Sequence, residues 1–306
     1  MFSVIIPCYN QGRFLADAID SALSQDDAPG PVEVVVVNDG STDDTSEVAA
    51  LYGDRIRYLE HDNCGISASR NRGLREASHD LVIFLDSDDA LLPRAISSLH
   101  SVYERSTPTP ALLAGEHVDT WQDGTPRREV RTESGKVEVI AARDLVIRNR
   151  FCPTVLANRN ILLELGGFDT SLRASEDRDL WIRVATQQPV LYLDRDILLK
   201  RDHGGCISRI ADQQTEQMER TLEKAFSDPA LDLSTRDQRV ARAILLHQSA
   251  LMYSDSGAVR TALVQVLRSF AARLFTSKSE TGIAYQARLR CLLSLSAKHL
   301  IGIFRG

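Results

Sequence analysis

The sequence predicts an α/β fold in which helices flank an open, mostly parallel sheet. Over the first hundred residues, short apolar runs alternate with helical patterns, which is typical of strands joined by helical crossovers. The runs are almost wholly apolar, as expected of parallel strands that are covered on both faces. Polar clusters follow the first, second and fourth runs, and ligands of such sheets bind beyond the carboxyl ends of the strands. The four predicted strands are Phe2–Pro7, Val32–Val37, Ile56–Leu59 and Leu81–Leu85.

The segments between these strands have the spacing of amphipathic helices. Apolar residues recur at helical spacing over 14–23, and Ser67–Ala77 shows a second helical pattern. Ser41-Thr42-Asp43-Asp44 is expected to provide the N-cap of a further helix that ends near Tyr52, with Ser41 or Thr42 in that role. The first hundred residues therefore predict a strand–helix repeat.

Later parts of the chain have a looser pattern. A helix is predicted around 141–148 and another over Glu176–Thr186, and Val190–Leu199 has the composition of a strand. The remainder is almost wholly helical in pattern. We therefore place a domain boundary near Asp228, with residues 1–228 forming the main domain and 229–306 a helical C-terminal region.

Composition and charge exclude several classes of protein. The apolar share of 43% is ordinary for a globular protein, and the formal net charge of −6 argues against a nucleic-acid binder. No run approaches the roughly 18 apolar residues that span a bilayer, and the first strand lacks the charged start of a signal peptide. The odd number of scattered cysteines is typical of a reducing compartment. We therefore expect a cytoplasmic protein.

Asp86-Ser87-Asp88-Asp89, at the end of the fourth predicted strand, is the strongest chemical signal. Asp86 and Asp88 are expected to bind Mn²⁺ or Mg²⁺, because these ions are held by one or two carboxylates together with substrate phosphates. The alternative is a turn whose aspartates cap a helix beginning near Leu91. The motif by itself leaves both interpretations open.

Two further clusters lie beside this one. Asn38-Asp39-Gly40-Ser41 follows the second strand, where glycine permits a tight turn and Asp39 can accept hydrogen bonds from a base or a ribose. Arg70 opens Arg70-Asn71-x-Gly73 and offers a planar set of donors suited to phosphate oxygens. Its alternative is a surface arginine whose aliphatic stem lies on the sheet edge. The proximity of the clusters favours the phosphate interpretation.

Together these residues resemble glycosyltransferase family 2, whose members have the GT-A fold. Four motifs occur in the family's order over about the first ninety residues. They are Ser3-Val4-Ile5-Ile6-Pro7-Cys8-Tyr9-Asn10, Asn38-Asp39-Gly40-Ser41, Asn63-x-Gly65 with Arg70-Asn71-x-Gly73, and Asp86-Ser87-Asp88. The resemblance implies a nucleotide-binding part over 1–110 and an acceptor-binding part over 111–228.

The resemblance also implies roles for individual residues. Arg70 would lie near the nucleotide, Asp86 would face the ribose or the metal, and Asp88 would bind the cation. Ser87, between these two aspartates, would bind the substrate. The residues expected to cradle the nucleoside or line the donor site beside them are Pro7, Tyr9, Asn10, Asp39, Asn63 and Gly65.

A thinner resemblance continues to about residue 208. Glu176 and Asp177 are similar to the family's acidic pair, which makes Asp177 the candidate general base and Glu176 a substrate-binding residue. Their alternative role is to stabilise a helix N-terminus. Trp181 is expected to stack on an acceptor sugar, with a core position as its alternative. His203, in Arg201-x-His203, is a candidate metal ligand or a structural histidine.

The implied activity is transfer of a sugar from a nucleotide-diphosphate sugar to an acceptor hydroxyl, with inversion. UDP is the expected nucleotide, and thymine and guanine nucleotides are the alternatives. Processive members carry a Q-x-x-R-W segment, whereas this chain has Asp179-Leu180-Trp181, so we expect a single addition. The acceptor would be a carbohydrate or a lipid-linked molecule in bacterial cell-surface polysaccharide or glycoconjugate synthesis.

Two alternative functions follow from the same residues. A sugar-1-phosphate nucleotidyltransferase shares the fold and the metal carboxylate but needs a glycine-rich loop, where this chain has Tyr9-Asn10-Gln11-Gly12-Arg13. A nucleotide-sugar-binding protein without catalysis is the other alternative, and the presence of both Asp88 and Asp177 argues against it.

The last fifty residues are basic, with a net charge of +7, which leaves −13 on the rest of the chain. Apolar residues from Val259 to Phe270 recur at helical spacing with interleaved arginines. Such a helix can lie on the anionic inner face of a membrane, pack on the main domain, or pair with a second copy in a homo-oligomer. The sequence leaves these three alternatives open.

Overall fold

The structure is a computed structural model, and it describes residues 1–121, 123–133, 135–202, 211–273 and 287–296. These residues form two compact units. The first lies within Met1–Ala141 and Phe151–His203, and the second within Ala142–Arg150 and Gly204–Gly306.

A single sheet organises the described part of the first unit. Its strands are β1 Phe2–Cys8, β2 Val32–Asn38, β3 Arg57–Glu60, β4 Leu81–Phe84, β5 Ala90–Leu91, β6 Leu112–Thr120, β7 Val137–Val139, β8 Val155–Asn158 and β9 Val190–Arg201. They lie in the order β3-β2-β1-β4-β8-β6-β9-β5, with β7 beside β9. The strands β1 to β4 pair in parallel, as do β6 and β9, whereas β5, β7 and β8 pair antiparallel with their neighbours. The four predicted strands and their parallel pairing are confirmed.

Among the described residues, helices connect the strands of the first unit, and further helices belong to the second unit. They are α1 Gly12–Leu23, α2 Thr45–Ala50, α3 Ile66–Glu76, α4 Ala95–Arg105, α5 Ala142–Ile147, α6 Arg159–Glu164, α7 Glu176–Gln187, α8 Ala211–Ser227, α9 Thr235–Asp255 and α10 Val259–Ala272. Short 3₁₀ turns occur at Gly53–Arg55 and Pro229–Leu231, and 287–296 is also helical. The α/β class with a helical C-terminal region is confirmed.

Two local predictions were wrong. The helix expected from Leu91 begins at Ala95, because Ala90–Leu91 pairs with β9 as a short strand. The N-cap position of α2 is Asp44, within the predicted segment, but Asp44 forms no side-chain cap and neither Ser41 nor Thr42 caps the helix. These residues form hydrogen bonds with the loop after β1, as described below, so tertiary contacts replace the local cap.

A close helix–strand contact places α3 against the centre of the sheet. Gly73 faces β1, and a Cβ atom at this position would overlap the side chain of Ile5, which is fully buried. Because glycine lets the helix approach this closely, the residues at the start of α3 are held at the carboxyl end of the sheet.

We expect Gly73→Ala to destabilise the protein, although Ala is the better helix former in isolation by about 1 kcal/mol. The added methyl group overpacks a core with no space beside Ile5, which costs about 1–3 kcal/mol. Urea denaturation should show a lower midpoint. Arg75→Ala, on the exposed face of the same helix, is the control, and an equal or higher midpoint for Gly73→Ala would contradict the close contact.

The second unit is helical in its described part. Its buried contacts include the hydroxyls of Thr215 on α8 and Ser249 on α9, which are 2.7 Å apart. Ala262 and Val266 of α10 are fully buried in a cluster with Ala250 of α9. The compact units therefore divide before α8, whereas the domain boundary predicted at Asp228 follows it. No helix in the described ranges combines the length and the hydropathy needed to cross a membrane.

Candidate active site

The carboxyl ends of β1, β2 and β4 lie side by side and carry the predicted donor-site residues. Asp39 donates its backbone N–H to the carbonyl oxygen of Cys8 at 2.8 Å, and Leu85 donates to that of Ile5 at 2.9 Å. The parallel pairing of β1 with β2 thus continues to the last residue of both strands, whereas that of β1 with β4 ends at Ile5 and Phe84. The polar clusters that follow these strands occupy one edge of the sheet, as predicted.

Asp39 joins two loops of this edge. Its side chain is buried, and its two carboxylate oxygens accept hydrogen bonds from the backbone N–H groups of Cys64 at 2.9 Å and Gly65 at 3.0 Å. Gly40 has a positive φ of 71°, and a Cβ there would lie 2.7 Å from the backbone nitrogen of Asn63. The turn after β2 therefore packs directly on the loop before α3, and glycine is needed at residue 40.

The loop after β1 contacts the same turn. Asn10 has a positive φ of 52°. It donates its backbone N–H to the hydroxyl of Ser41 at 2.9 Å, and its side-chain oxygen accepts from the backbone of Thr42 at 2.8 Å. Tyr9 is 49% exposed, whereas Pro7 is buried within β1. Tyr9 and Asn10 thus present side chains at this edge, and Pro7 lies beneath them.

Three carboxylates gather after β4. Oxygen atoms of Asp86, Asp88 and Asp89 lie within 4.8 Å of one another, which suits a hard divalent cation. The side chain of Asp89 is buried and accepts a hydrogen bond from the backbone N–H of Arg201 at 2.9 Å. Burial and the charges of Asp88 and Asp86 raise the pKa of Asp89 well above its usual value. This accumulated negative charge favours a cation.

Asp89 was not among the predicted ligands, although the Asp86–Asp89 sequence contained the signal. Lys200, on β9, is a second residue that sequence reasoning missed. Burial alone would lower the pKa of its ammonium group, but Asp89, Cys152 and Asp86 raise it. Lys200 therefore adds positive charge beside the carboxylates, and its position depends on pairing between strands that are distant in sequence.

Arg70 connects the carboxylates after β4 to the start of α7. One terminal nitrogen of its guanidinium group donates to Asp86 at 2.6 Å, and the other donates to Glu176. The side chain is only 3% exposed and lies 5.4 Å from the ring centroid of Phe168. The surface alternative is excluded, because both terminal nitrogens are held by carboxylates within the protein.

The neighbouring Asn71 holds the loop before α7. Its side-chain amide donates to the carbonyl oxygen of Phe168 and accepts from the backbone N–H of the same residue, both at 2.8 Å. Gly167, with a φ of 69°, leaves room for Asn71, whose side chain a Cβ would overlap. Two adjacent residues of α3 therefore position the loop before α7 and the first residue of that helix.

Asp177 follows Glu176 in the first turn of α7. Burial and the negative charge of Glu176 raise its pKa from 3.8 to about 6, and the positive charge of Arg70 opposes this rise. Acidic residues at a helix N-terminus normally have a lowered pKa. Burial and Glu176 thus outweigh the effect of the helix N-terminus, and the resulting pKa lies in the range in which a carboxylate can act as a general base.

Trp181 was predicted among the substrate-binding residues, and this prediction was wrong. Its side chain has no exposed surface, and its ring lies 5.8 Å from that of Phe168 and 6.3 Å from that of Phe84. Since no face of the indole is open, Trp181 is a core residue.

The remaining predicted residues are Ser87, Asn63, Gly65 and His203. Ser87 is buried, with its hydroxyl 3.4 Å from the side-chain oxygen of Gln11, and Asn63 is exposed at the rim. Gly65 has a φ of 92° and begins α3 as its N-cap. His203 lies outside the described residues.

Comparison with protein families identifies the chain. The model of glycosyl transferase family 2 matches residues 3–162, which is more than half of the 306 residues. The chain belongs to this family. The match includes β1 to β4 and the first three helices, and thus the sheet edge that carries the predicted donor-site residues.

Two bacterial relatives are similar to this chain over part of their length. An uncharacterized glycosyltransferase of Rickettsia felis is 30% identical over 206 residues, covering 65% of this chain and 34% of that protein. The minor teichoic acid biosynthesis protein GgaA of Bacillus subtilis is 28% identical over 184 residues, or 58% of this chain and 41% of that protein. The chain thus spans less than half the length of these two relatives.

Solved structures of other proteins show the same fold. Residues 1–349 of S. aureus TarS, in complex with UDP-GlcNAc, match 98% of this chain and 92% of that chain, with a TM-score of 0.67 and 18% identity. The mannosyltransferase PcManGT of Pyrobaculum calidifontis, in complex with GDP-Man and Mn²⁺, matches 98% and 86%, with a TM-score of 0.61 and 18% identity. The GT-A type fold is confirmed.

Proposed function

We propose that this family 2 protein transfers a sugar from a nucleotide-diphosphate sugar to an acceptor hydroxyl, with inversion and one addition per cycle. The observation that carries the proposal is the bridge of Arg70 between Asp86 and Glu176. It joins a carboxylate cluster suited to a metal–diphosphate complex to the helix turn that contains Asp177. The bridge links the proposed donor site to the proposed base, and group transfer requires such groups to be positioned together.

The nucleoside is proposed to bind at the loops after β1 and β2. Asp39 accepts two backbone hydrogen bonds, and its oxygens retain lone pairs that can accept a donor from a base or a ribose. The exposed ring of Tyr9 offers an adjacent stacking surface. A UDP-sugar is the proposed donor, and the UDP-GlcNAc complex of TarS supports this choice by analogy of fold.

The diphosphate is proposed to bind with Mn²⁺ or Mg²⁺ at Asp86 and Asp88, with Asp89 beside them. The oxygen-only ligand set fits either ion. When bound, the cation would neutralise negative charge on the departing diphosphate. Arg70 holds Asp86 in place, and His203 is retained as a proposed additional ligand. The Mn²⁺ complex of PcManGT supports this assignment.

Asp177 is proposed to act as the general base. The acceptor hydroxyl gives its proton to the Asp177 carboxylate while its oxygen attacks the anomeric carbon. The bond from that carbon to the phosphate oxygen breaks, and the bonding electrons leave with the diphosphate. Attack opposite the leaving group inverts the anomeric centre. The pKa of about 6 leaves most of Asp177 ionised at neutral pH yet more basic than an ordinary aspartate.

The acceptor is proposed to be a cell-surface polysaccharide or glycoconjugate precursor, free or lipid-linked. The similarity to a teichoic acid biosynthesis protein supports this class. Residues 1–228 would form the catalytic domain, with the donor part in 1–110 and the acceptor part in 111–228. The basic region 229–306 would bring the enzyme to the inner face of the membrane.

Thermal-shift measurements with a panel of nucleotide sugars, with and without Mn²⁺, test the donor proposal. We expect one UDP-sugar to raise the melting temperature much more with Mn²⁺ than without it, since a ligand that binds the native state stabilises it. Asp88→Asn should remove the Mn²⁺-dependent part of the rise in melting temperature. Asp194→Asn is the control at a half-exposed residue, and it should retain that part of the rise.

Product analysis then separates the two enzyme classes. Release of UDP together with a glycosylated acceptor supports sugar transfer, whereas formation of pyrophosphate from a nucleoside triphosphate would indicate a nucleotidyltransferase. Absence of Mn²⁺-assisted binding for every activated sugar would contradict the donor proposal.

A further inference from the structure

A second cluster of metal-ligating side chains lies apart from the aspartates after β4. Asp39, His61 and Cys64 bring a carboxylate oxygen, an imidazole nitrogen and a thiol sulfur within 4.8 Å of one another. The distances are 3.1 Å from Cys64 Sγ to His61 Nδ1, 3.4 Å from His61 Nδ1 to Asp39 Oδ1, and 3.7 Å from Cys64 Sγ to Asp39 Oδ1. Three different ligand types therefore form a compact triangle.

The triangle has the size that zinc requires. With Zn–S of about 2.3 Å and Zn–N and Zn–O of about 2.0–2.2 Å, the edges of a tetrahedral site are about 3.3–3.6 Å long. The His61–Asp39 distance of 3.4 Å lies within this range, and the Cys64–Asp39 and Cys64–His61 distances of 3.7 and 3.1 Å lie about 0.1 and 0.2 Å outside it. A single cation above the triangle can thus contact all three atoms after small movements, with its fourth position open to water.

The backbone holds these ligands before any cation binds. The backbone N–H of His61 donates to the carbonyl oxygen of Asn38, and those of Cys64 and Gly65 donate to the Asp39 carboxylate. The side chains of Asp39 and His61 are 5% and 16% exposed, respectively. Cys64 is a free, exposed cysteine, which leaves the site open to solvent. The ordering cost of binding is therefore small.

Ser69 provides the outer partner that metal-bound histidines require. Its hydroxyl lies 3.2 Å from His61 Nε2. His61 Nδ1 also lies 2.8 Å from the carbonyl oxygen of Asp62, which accepts from Nδ1–H in one neutral tautomer, and a cation at Nδ1 would replace that hydrogen bond. Metal binding through Nδ1 selects the tautomer in which Nε2–H donates to Ser69. Such hydrogen bonds orient the imidazole and increase its basicity as a ligand.

We infer that Asp39, His61 and Cys64 form a binding site for Zn²⁺ or a similar soft divalent cation. Thiolate and imidazole ligands select zinc over magnesium and manganese, whereas the three aspartates after β4 have the opposite preference. The two clusters thus separate cations by ligand chemistry. On binding, the Cys64 thiol loses its proton to solvent and the sulfur–metal bond replaces the S–H bond.

The site has a consequence that rests on the proposed function. Asp39 is the residue proposed to contact the nucleoside, and a cation on its Oδ1 would occupy that oxygen. Zn²⁺ is therefore expected to oppose donor binding at the same loop, and so to inhibit the enzyme in competition with the nucleotide.

Calorimetric titration of the metal-free full chain with Zn²⁺ tests the site. Excess Mg²⁺ is included to occupy the three aspartates. We expect one equivalent of Zn²⁺ to bind. Loss of an outer hydrogen-bond partner weakens metal binding by about 10–100-fold, and Cys64→Ser, which removes a direct ligand, should weaken it by more than that. The Zn²⁺ affinity of Ser69→Ala should lie between those of the wild type and Cys64→Ser. Cys291→Ser and Asp88→Asn are the controls, and both should bind Zn²⁺ as the wild type does.

Co²⁺ provides an independent readout of the sulfur ligand. Its complex with the wild type should show thiolate-to-cobalt absorption in the near ultraviolet, and Cys64→Ser should lack it while Cys291→Ser retains it. No bound equivalent of Zn²⁺, or equal binding by Cys64→Ser, would overturn the inference. If UDP itself fails to bind, the proposed function fails, but the metal titration still decides whether this site exists.

Discussion

Asp177→Asn is expected to lower the turnover of sugar transfer by about 10²–10⁴-fold, the usual contribution of a general base. The amide keeps the shape of the side chain but cannot take the acceptor's proton. Nucleotide binding should remain, because the donor-site loops are built from other residues. Steady-state kinetics together with calorimetric titration of UDP measure the two effects separately.

The same substitution is expected to make the protein more stable at neutral pH. The folded state raises the pKa of Asp177 to about 6 from 3.8, so folding disfavours its ionised form. The neutral carboxyl contributes its full stabilisation of the folded state below pH 3.8, and this contribution is lost as the pH rises through about 6. At pH 7 the Asn variant should gain about 1–2 kcal/mol in free energy of unfolding.

The pH profile gives a further test of Asp177. Since the base must be ionised, kcat/KM should fall by about tenfold per pH unit below the pKa of this carboxyl in the free enzyme, about 6. Glu164→Gln, an equivalent change at an exposed residue of α6, should alter neither turnover nor the profile. Undiminished turnover in Asp177→Asn would remove this residue from the mechanism.

Arg70→Met is expected to be the most destabilising single change at the site, costing about 3–5 kcal/mol. Methionine fills a similar volume but leaves the carboxylates of Asp86 and Glu176 without their common cation. Urea denaturation measures the loss. Arg70 opposes the rise in the pKa of Asp177, so its removal should raise this pKa further. The fall in kcat/KM on the acidic side of the pH profile should therefore begin at a higher pH in Arg70→Met. A purely structural role of Arg70 would not produce this shift.

The chain offers a matched control for this arginine. Arg57 also pairs with a glutamate, Glu76, but both side chains are more than 40% exposed, so Arg57→Met should cost less than about 1 kcal/mol. Adding Glu176→Gln to Arg70→Met should restore part of the stability, because one uncompensated buried charge is removed. Equal denaturation midpoints for Arg70→Met and Arg57→Met would contradict the bridge.

The sequence was most informative where a signal is local. Asp86 and Asp88 are two residues apart at the end of a continuous apolar run, so strand, site edge and paired carboxylates could all be inferred from a short segment. Local patterns failed where a distant partner intervened. Leu91 pairs with β9 instead of entering a helix, and Ser41 bonds to Asn10 instead of capping α2.

The first ninety residues were therefore sufficient to predict the parallel sheet, its ligand-binding edge and the donor-site motifs, because apolar periodicity and turn residues act over short distances. Only the tertiary structure showed that Arg70 joins Asp86 to Glu176, a residue 106 positions away in the chain, and that Trp181 is in the core. Such contacts depend on how α3 and α7 pack on the sheet, and no spacing within a single segment encodes that arrangement.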